Sequence, residues 1–180
     1  MRPQWTTEWQ AEDQLLRVES APLEAGGRPT RLHRVVTGIA AGAGAVAVAS
    51  RDGSVLLVRQ VRIIPGVTLW ELPRGSADTG DVDLVATARR ELTEETGLTT
   101  LGGELLGHVY PDTGLLAARV GIVLVHVGEG ATSEPDGEVE EADWFPLDGI
   151  AQMVARGDVC DGITLAALAL AEATGGIARD

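Results

Sequence analysis

Cysteine is almost missing from this chain. Cys160 is the single one in 180 residues, so no internal disulfide can form and a reducing, cytoplasmic setting fits. It has no partner for nucleophilic work, and burial is expected for it. Aromatic residues make up only 3% of the sequence, which leaves a core to be built from Val, Leu, Ile and Ala. Basic residues are outnumbered, 14 Lys and Arg against 27 Asp and Glu, for a formal net charge of −13. Nucleic acid and anionic membranes both require a basic footprint, so neither is expected as a partner. An anionic small molecule stays compatible with this charge if a cation mediates the contact. Long apolar runs are lacking too. The stretches "IAAGAGAVAVAS" and "LAALALA" fall short of the ~20 residues a membrane helix needs. The opening "MRPQWTTEWQAEDQ" has no apolar segment of the kind a signal peptide carries.

What is present describes a folded protein. The chain is 44% apolar and 23% charged, and its 180 residues suffice for one well-filled domain. Residues 1–36 read as a small β-arm, with "QLLRVES" and "RLHRVVTG" alternating as strands around the turn-forming "LEAGGRP". From Ala43 onward, "AGAVAVAS" and "SVLLVRQVR" flank Asp52-Gly53, a strong hairpin signal. "ELLGHVY" and "ARVGIVLVHV" read as two more strands, separated by "PDTGLLA". Helices are expected over residues 83–96, ending at Gly97, and over 161–174, ending at Gly175-Gly176. A shorter helix follows Pro146, with Asp148 as a possible cap. Strands and helices are mixed without regular alternation, which disfavours a doubly wound parallel sheet.

The helix over 83–96 breaks local rules. "RRELTEETGL" places Glu91, Glu94 and Glu95 near the helix C-terminus, where the macrodipole disfavours acidic side chains by a few tenths of a kcal/mol each. Glu91 and Glu95 form an i,i+4 like-charge pair that costs roughly 0.2–0.5 kcal/mol more. At 100° per residue, Leu84, Val85, Ala88 and Leu92 define the buried stripe, and Glu91 and Glu95 fall within about 20° of Leu84. A solvated acidic face would put these carboxylates opposite the stripe instead. Partly buried carboxylates need compensation. Arg89 and Arg90 can offset one or two; a hard divalent cation with oxygen ligands can hold all three.

Upstream lies "LWELPRGSADTGDVDLVATARRELTEETGL", residues 69–98. This stretch resembles the Nudix hydrolase signature. Arg90, Glu91, Leu92, Glu94, Glu95, Gly97 and Leu98 match its C-terminal half without a gap, and Gly75 matches its first glycine. One departure is visible: Asp81 stands where the family has its first glutamate, and eight residues rather than seven separate it from Arg90. The resemblance implies an α+β fold, a Nudix-type α/β/α sandwich with a mixed curved sheet over residues 37–180, preceded by the N-terminal β-arm. It implies hydrolysis of a nucleoside diphosphate linked to another group, with Mg²⁺ or Mn²⁺ as cofactor. Glu91 and Glu95, with Glu94 close by, map to metal ligands. The backbone carbonyl of Arg74 completes the metal's shell, and Arg90 orients the glutamates.

Within the family, "VRQVR" followed by "WELPRG" is similar to the ADP-ribose pyrophosphatase and nucleotide-sugar branch. That likeness implies a substrate side formed by Arg62, Glu71 and Pro111, with Arg62 on the diphosphate. It also implies a general base on the acidic loop 129–141, with Glu138 first and Glu134 second among the candidates Glu134, Asp136, Glu138, Glu140 and Glu141. Members of that branch are commonly homodimers whose N-terminal strands cross to the partner, and the two tryptophans of this arm, Trp5 and Trp9, fit such a use. The expectation is a cytoplasmic, homodimeric enzyme that splits ADP-ribose or a related nucleoside diphosphate sugar into AMP or another NMP and a sugar phosphate. The alternative is a Nudix-fold sensor that binds such a ligand without cleaving it. His33, His108 and His126 have no metal-ligand spacing and are expected to pack or face solvent. "GAGAVAVA" leads into β-structure and is not a phosphate loop.

Overall fold

The structure, a computed structural model, describes residues 3–13, 16–37, 43–131, 135 and 137–178. Among the described residues the chain forms ten strands and three helices. They belong to two compact units. One comprises residues 1–43 with 110–120, and the other residues 44–109 with 121–180.

The first unit is a three-stranded antiparallel sheet, β1 (Thr6–Gln10), β2 (Leu16–Ala25) and β3 (Arg28–Thr37), in that spatial order. The hairpin is longer than the alternation of 14–20 and 31–38 indicates. Gly26 and Gly27, at φ of 59° and 73°, close a two-residue turn, so pairing continues out to Ala25 and Arg28. Trp9 is exposed, while Trp5 lies under the Arg34 guanidinium at 4.1 Å.

The second unit carries a seven-stranded sheet. Its strands are β4 (Ala43–Arg51), β5 (Ser54–Arg62), β6 (Val67–Glu71), β7 (Arg74–Ser76), β8 (Leu98–Val109), β9 (Arg119–Ala131) and β10 (Glu141–Pro146). The order β10-β5-β4-β9-β8 has β6 attached to β5 and β7 to β4. Ala45, Val46, Ala47, Val48 and Ala49 are all fully buried, so β4 is covered on both faces, as the central strand of a layered fold must be. On one face, Ala45, Ala47, Ala49, Leu56, Val123 and Val125 pack with Ala88 and Leu92 of α1 (Leu84–Thr96). α2 (Leu147–Arg156) packs on β10 and α3 (Gly162–Ala173) on β8. Helices on a mixed sheet agree with the expected architecture.

Helix ends follow local chemistry with one correction. Asp83 caps α1 by accepting from Ala86 N at 2.8 Å, and Gly97 stops it at φ 73°. Asp161 caps α3 in the same way through Thr164 N. Asp148 is not the cap of α2. Pro146 holds that position without a side-chain bond, and Asp148 sits inside the first turn, where the helix dipole favours an acid. Four further strands, β1, β6, β7 and β10, are additional to the expected set, and β8 starts at Leu98 rather than Glu104. Cys160 corrects another expectation: it is exposed, on the short connection between α2 and α3.

Candidate active site

The site grows from α1 and the strands beneath its acidic face. On α1 the burial follows the wheel: Ala88, Leu92 and Glu95 are buried, Glu91 half-buried and Glu94 exposed. Glu95 is only 3% exposed, a placement no solvated acidic face produces.

Gly75 on β7 explains how Glu91 fits. A Cβ added at Gly75 would lie 2.1 Å from the Glu91 carboxyl carbon and Oε1, so the carboxylate occupies the space that only glycine leaves. The carboxylate therefore lies against Gly75, the residue that follows Arg74 on β7. Burial raises the Glu91 pKa, and the nearby Glu94 and Glu138 carboxylates raise it further, against the lowering by Arg90. Glu138 is therefore an electrostatic neighbour of Glu91, even though it sits on the acidic loop and is exposed.

Arg90 is the hub of the helix end. Its Nη2 donates to the Ser76 carbonyl at 2.8 Å and pairs with Glu91 Oε1 at 2.9 Å; its Nη1 reaches Glu94 Oε2 at 2.7 Å. Nε and Nη2 also contact Asp81 at 3.3 and 3.1 Å. The longer loop therefore brings Asp81 onto Arg90. The arginine's hydrogen bonds lower the Asp81 pKa from 3.8 to about 2, and the Arg90 pKa is raised in turn.

A second ionic cluster lies on β5, β6 and β7. Glu71 is 1% exposed and accepts from Arg62 Nε at 2.9 Å, Arg62 Nη2 at 2.5 Å and Arg74 Nη2 at 2.8 Å. Two guanidiniums satisfy this buried carboxylate, as burial of a charge demands. The Arg62 pKa is raised, first by its hydrogen bonds to Glu71, with Glu95 among the charges contributing. Glu95 thus links the two clusters electrostatically.

The remaining expectations are dispersed. Pro111 is exposed on the segment that follows β8, within the first unit. Glu134 and Asp136 lie outside the described residues. Glu140 pairs with Arg59 at 3.0 Å, and Glu141 is exposed where β10 begins. His33 and His126 face solvent and His108 is half-buried. Asp161, which forms an ion pair with Arg74 Nη1 at 3.1 Å, escaped the sequence reading, where its only signal was a cap position before Thr164.

The donor set suits a hard divalent cation: the glutamate oxygens of α1 and the Arg74 carbonyl offer oxygen alone. Among the described residues, no three His, Cys, Asp or Glu side chains already stand as a closed cation cluster. The Glu94 carboxylate is turned to Arg90 instead. The glycine cradle under Glu91 is the feature that fits a cation-binding carboxylate, because it gives up a side chain to seat one.

Residues 38–161 match the family model described as the NUDIX domain, more than half of the sequence, and the chain belongs to the Nudix family of hydrolases. It is 34% identical over 143 residues to an ADP-ribose pyrophosphatase of Mycobacterium tuberculosis, covering 76% of this chain and 69% of the relative. It is 30% identical over 162 residues to a CMP-5'-(N-acetyl-N-hydroxy-3-aminopropyl)phosphonate hydrolase of Streptomyces rubellomurinus, covering 88% and 77%. A local match of 50% over 56 residues joins it to an RNA pyrophosphohydrolase of Caulobacter vibrioides, 31% of this chain and 30% of that one. A solved structure titled as an ADP compounds hydrolase aligns with a TM-score of 0.75 at 20% identity, covering 94% of this chain and 92% of the other, and carries the fold. Family and relatives favour the hydrolase reading over the sensor. Nudix hydrolases generally use divalent metals.

Proposed function

We propose that this enzyme hydrolyses the diphosphate of ADP-ribose or a related nucleoside diphosphate sugar, giving AMP or another NMP and a sugar phosphate, with Mg²⁺ or Mn²⁺. The observation that carries the reading is a pair of electrostatically coupled clusters: acidic Glu91, Glu94 and Glu95 on α1, and the Glu71-anchored Arg62 whose charge Glu95 attracts. Likeness to an ADP-ribose pyrophosphatase over most of the chain supports the substrate.

In this reading Glu91, Glu95, Glu94 and the Arg74 carbonyl hold the cation. When bound, the metal offsets diphosphate charge and lowers the pKa of water. Arg90 holds Glu91 and Glu94 at fixed orientation through its contacts to both and to Ser76. Arg62 meets the diphosphate with the guanidinium edge that Glu71 leaves free; Glu71 acts by fixing that edge. Glu138 takes a proton from the attacking water, with Glu134 the second candidate, and the P–O–P bond breaks with the leaving phosphate carrying the electron pair. Pro111 stays on the substrate side by the resemblance alone. A homodimer in the cytoplasm completes the proposal.

The test is a panel of ADP-ribose, other nucleoside diphosphate sugars and nucleoside triphosphates, compared by kcat/KM. ADP-ribose or a diphosphate sugar leading the panel supports the reading; a nucleoside triphosphate leading it overturns the substrate assignment.

A further inference from the structure

Three ties join residues 70–74, which contribute Glu71 and Arg74 to the ionic cluster, to the segment that enters and begins α3. Trp70 N donates to the Asp158 carbonyl at 3.0 Å, Leu72 N to Thr164 Oγ1 at 3.1 Å, and Arg74 Nη1 pairs with Asp161 Oδ2 at 3.1 Å. The backbone N–H groups of Trp70 and Leu72 pin the edge of β6 and its continuation, and the Arg74 side chain adds an ionic tie two residues further on. Thr164 is fully buried, and the Arg74 and Asp161 side chains are 18% and 16% exposed, which makes the last tie a partly buried ion pair rather than a fully exposed one.

Arg74 is shared. Its Nη2 binds Glu71 Oε2, the oxygen that also takes Arg62 Nη2, while its Nη1 binds Asp161. Without Asp161, the Arg74 guanidinium is held from one side only and is free to rotate about Glu71. Glu71 would then share its oxygens with a moving cation, and the orientation of Arg62 would lose its reference. Asp161 is itself rigid, because the same Oδ2 accepts from Thr164 N at the start of α3 and the helix dipole favours its charge.

We propose that Asp161 is a positioning residue for substrate binding: by clamping Arg74 it fixes Glu71, and through Glu71 the guanidinium of Arg62 that receives the diphosphate. The inference rests on the proposed role of Arg62. Since Arg62 meets a diphosphate present in ground state and transition state alike, loosening it raises KM and leaves kcat close to its original value.

Asp161→Asn tests this, because asparagine caps a helix as well as aspartate does while the charge that pairs with Arg74, and that also attracts Arg62 directly, is removed. The expected result with ADP-ribose is a KM increase on the order of tenfold at nearly constant kcat, the size of coupling seen between contacting charges. The Kd of α,β-methylene-ADP, a diphosphate that is not cleaved, rises in parallel by calorimetry. Arg74→Gln gives a similar increase, and adding Asp161→Asn to it gives no more. An unchanged KM and Kd in an Asp161→Asn protein whose Tm is also unchanged overturns the positioning role while leaving the proposed function intact. A fall in kcat with KM constant, or additive effects in the double variant, overturns it as well. Failure of the wild type both to hydrolyse ADP-ribose and to bind the analogue overturns the reading beneath it, and the inference with it.

Discussion

At the scale of single residues, the site depends on space as much as on charge. The atoms that a methyl at Gly75 would displace are the free end of the flexible Glu91 side chain, not backbone. Gly75→Ala is therefore expected to fold with a stability loss of only about 1 kcal/mol while the carboxylate moves, lowering kcat/KM by ~100-fold. Urea unfolding and steady-state kinetics check the two halves separately. Asp81 gives a pH prediction. Its folded pKa is depressed from 3.8 to about 2, so its contribution is complete above 3.8 and is lost as pH falls toward about 2. Asp81→Asn should be less stable than wild type above about pH 5, and the gap should close as pH falls through that window, read by denaturant midpoints. The inward glutamates were legible in the sequence because the helical period is local. The Asp81–Arg90 pairing was not, since an extra loop residue leaves no periodic trace. Asp161 was illegible as a partner of Arg74 for a related reason: the two meet only when α3 docks.

At the scale of elements, caps and stops were readable and short strands were not. Asp83 and Gly97 bound α1 by rules that need only neighbouring residues. Asp83→Ala is expected to cost about 1 kcal/mol, a Tm drop of a few degrees, because Ala86 N loses its acceptor. A Tm unchanged within error would mean that the tertiary packing of α1 makes the cap redundant. By contrast, β6 owes its existence to β5, register Val58 to Glu71 through Arg62 to Val67, and β10 to the other edge of β5. Strands that short have little alternation of their own, and pairing decides them, with a neighbouring strand for β6 and with one more than 80 residues earlier for β10. The misread cap of α2 has the same origin: β10 runs directly into the helix, so its last residue, Pro146, takes the cap position before Asp148.

At the scale of the whole molecule, the central strand β4 was recognisable as buried β-structure, whereas the order β10-β5-β4-β9-β8 came from contacts that no sequence window contains. The charge of −13 sets the expectation for metal dependence: an anionic substrate approaching so acidic a protein needs a cation, and chelation by EDTA should abolish turnover with recovery on adding Mg²⁺ or Mn²⁺. Static light scattering at micromolar concentration is expected to give the mass of two chains, and the mass of one would contradict the proposed homodimer. The most direct test of the central claim is AMP release from ADP-ribose in Mg²⁺, measured side by side for the wild type and Glu95→Gln. Turnover by the wild type that vanishes in the variant is the predicted result. Equal turnover in both, or none in the wild type, would contradict the assignment of this buried glutamate and its helix to diphosphate hydrolysis.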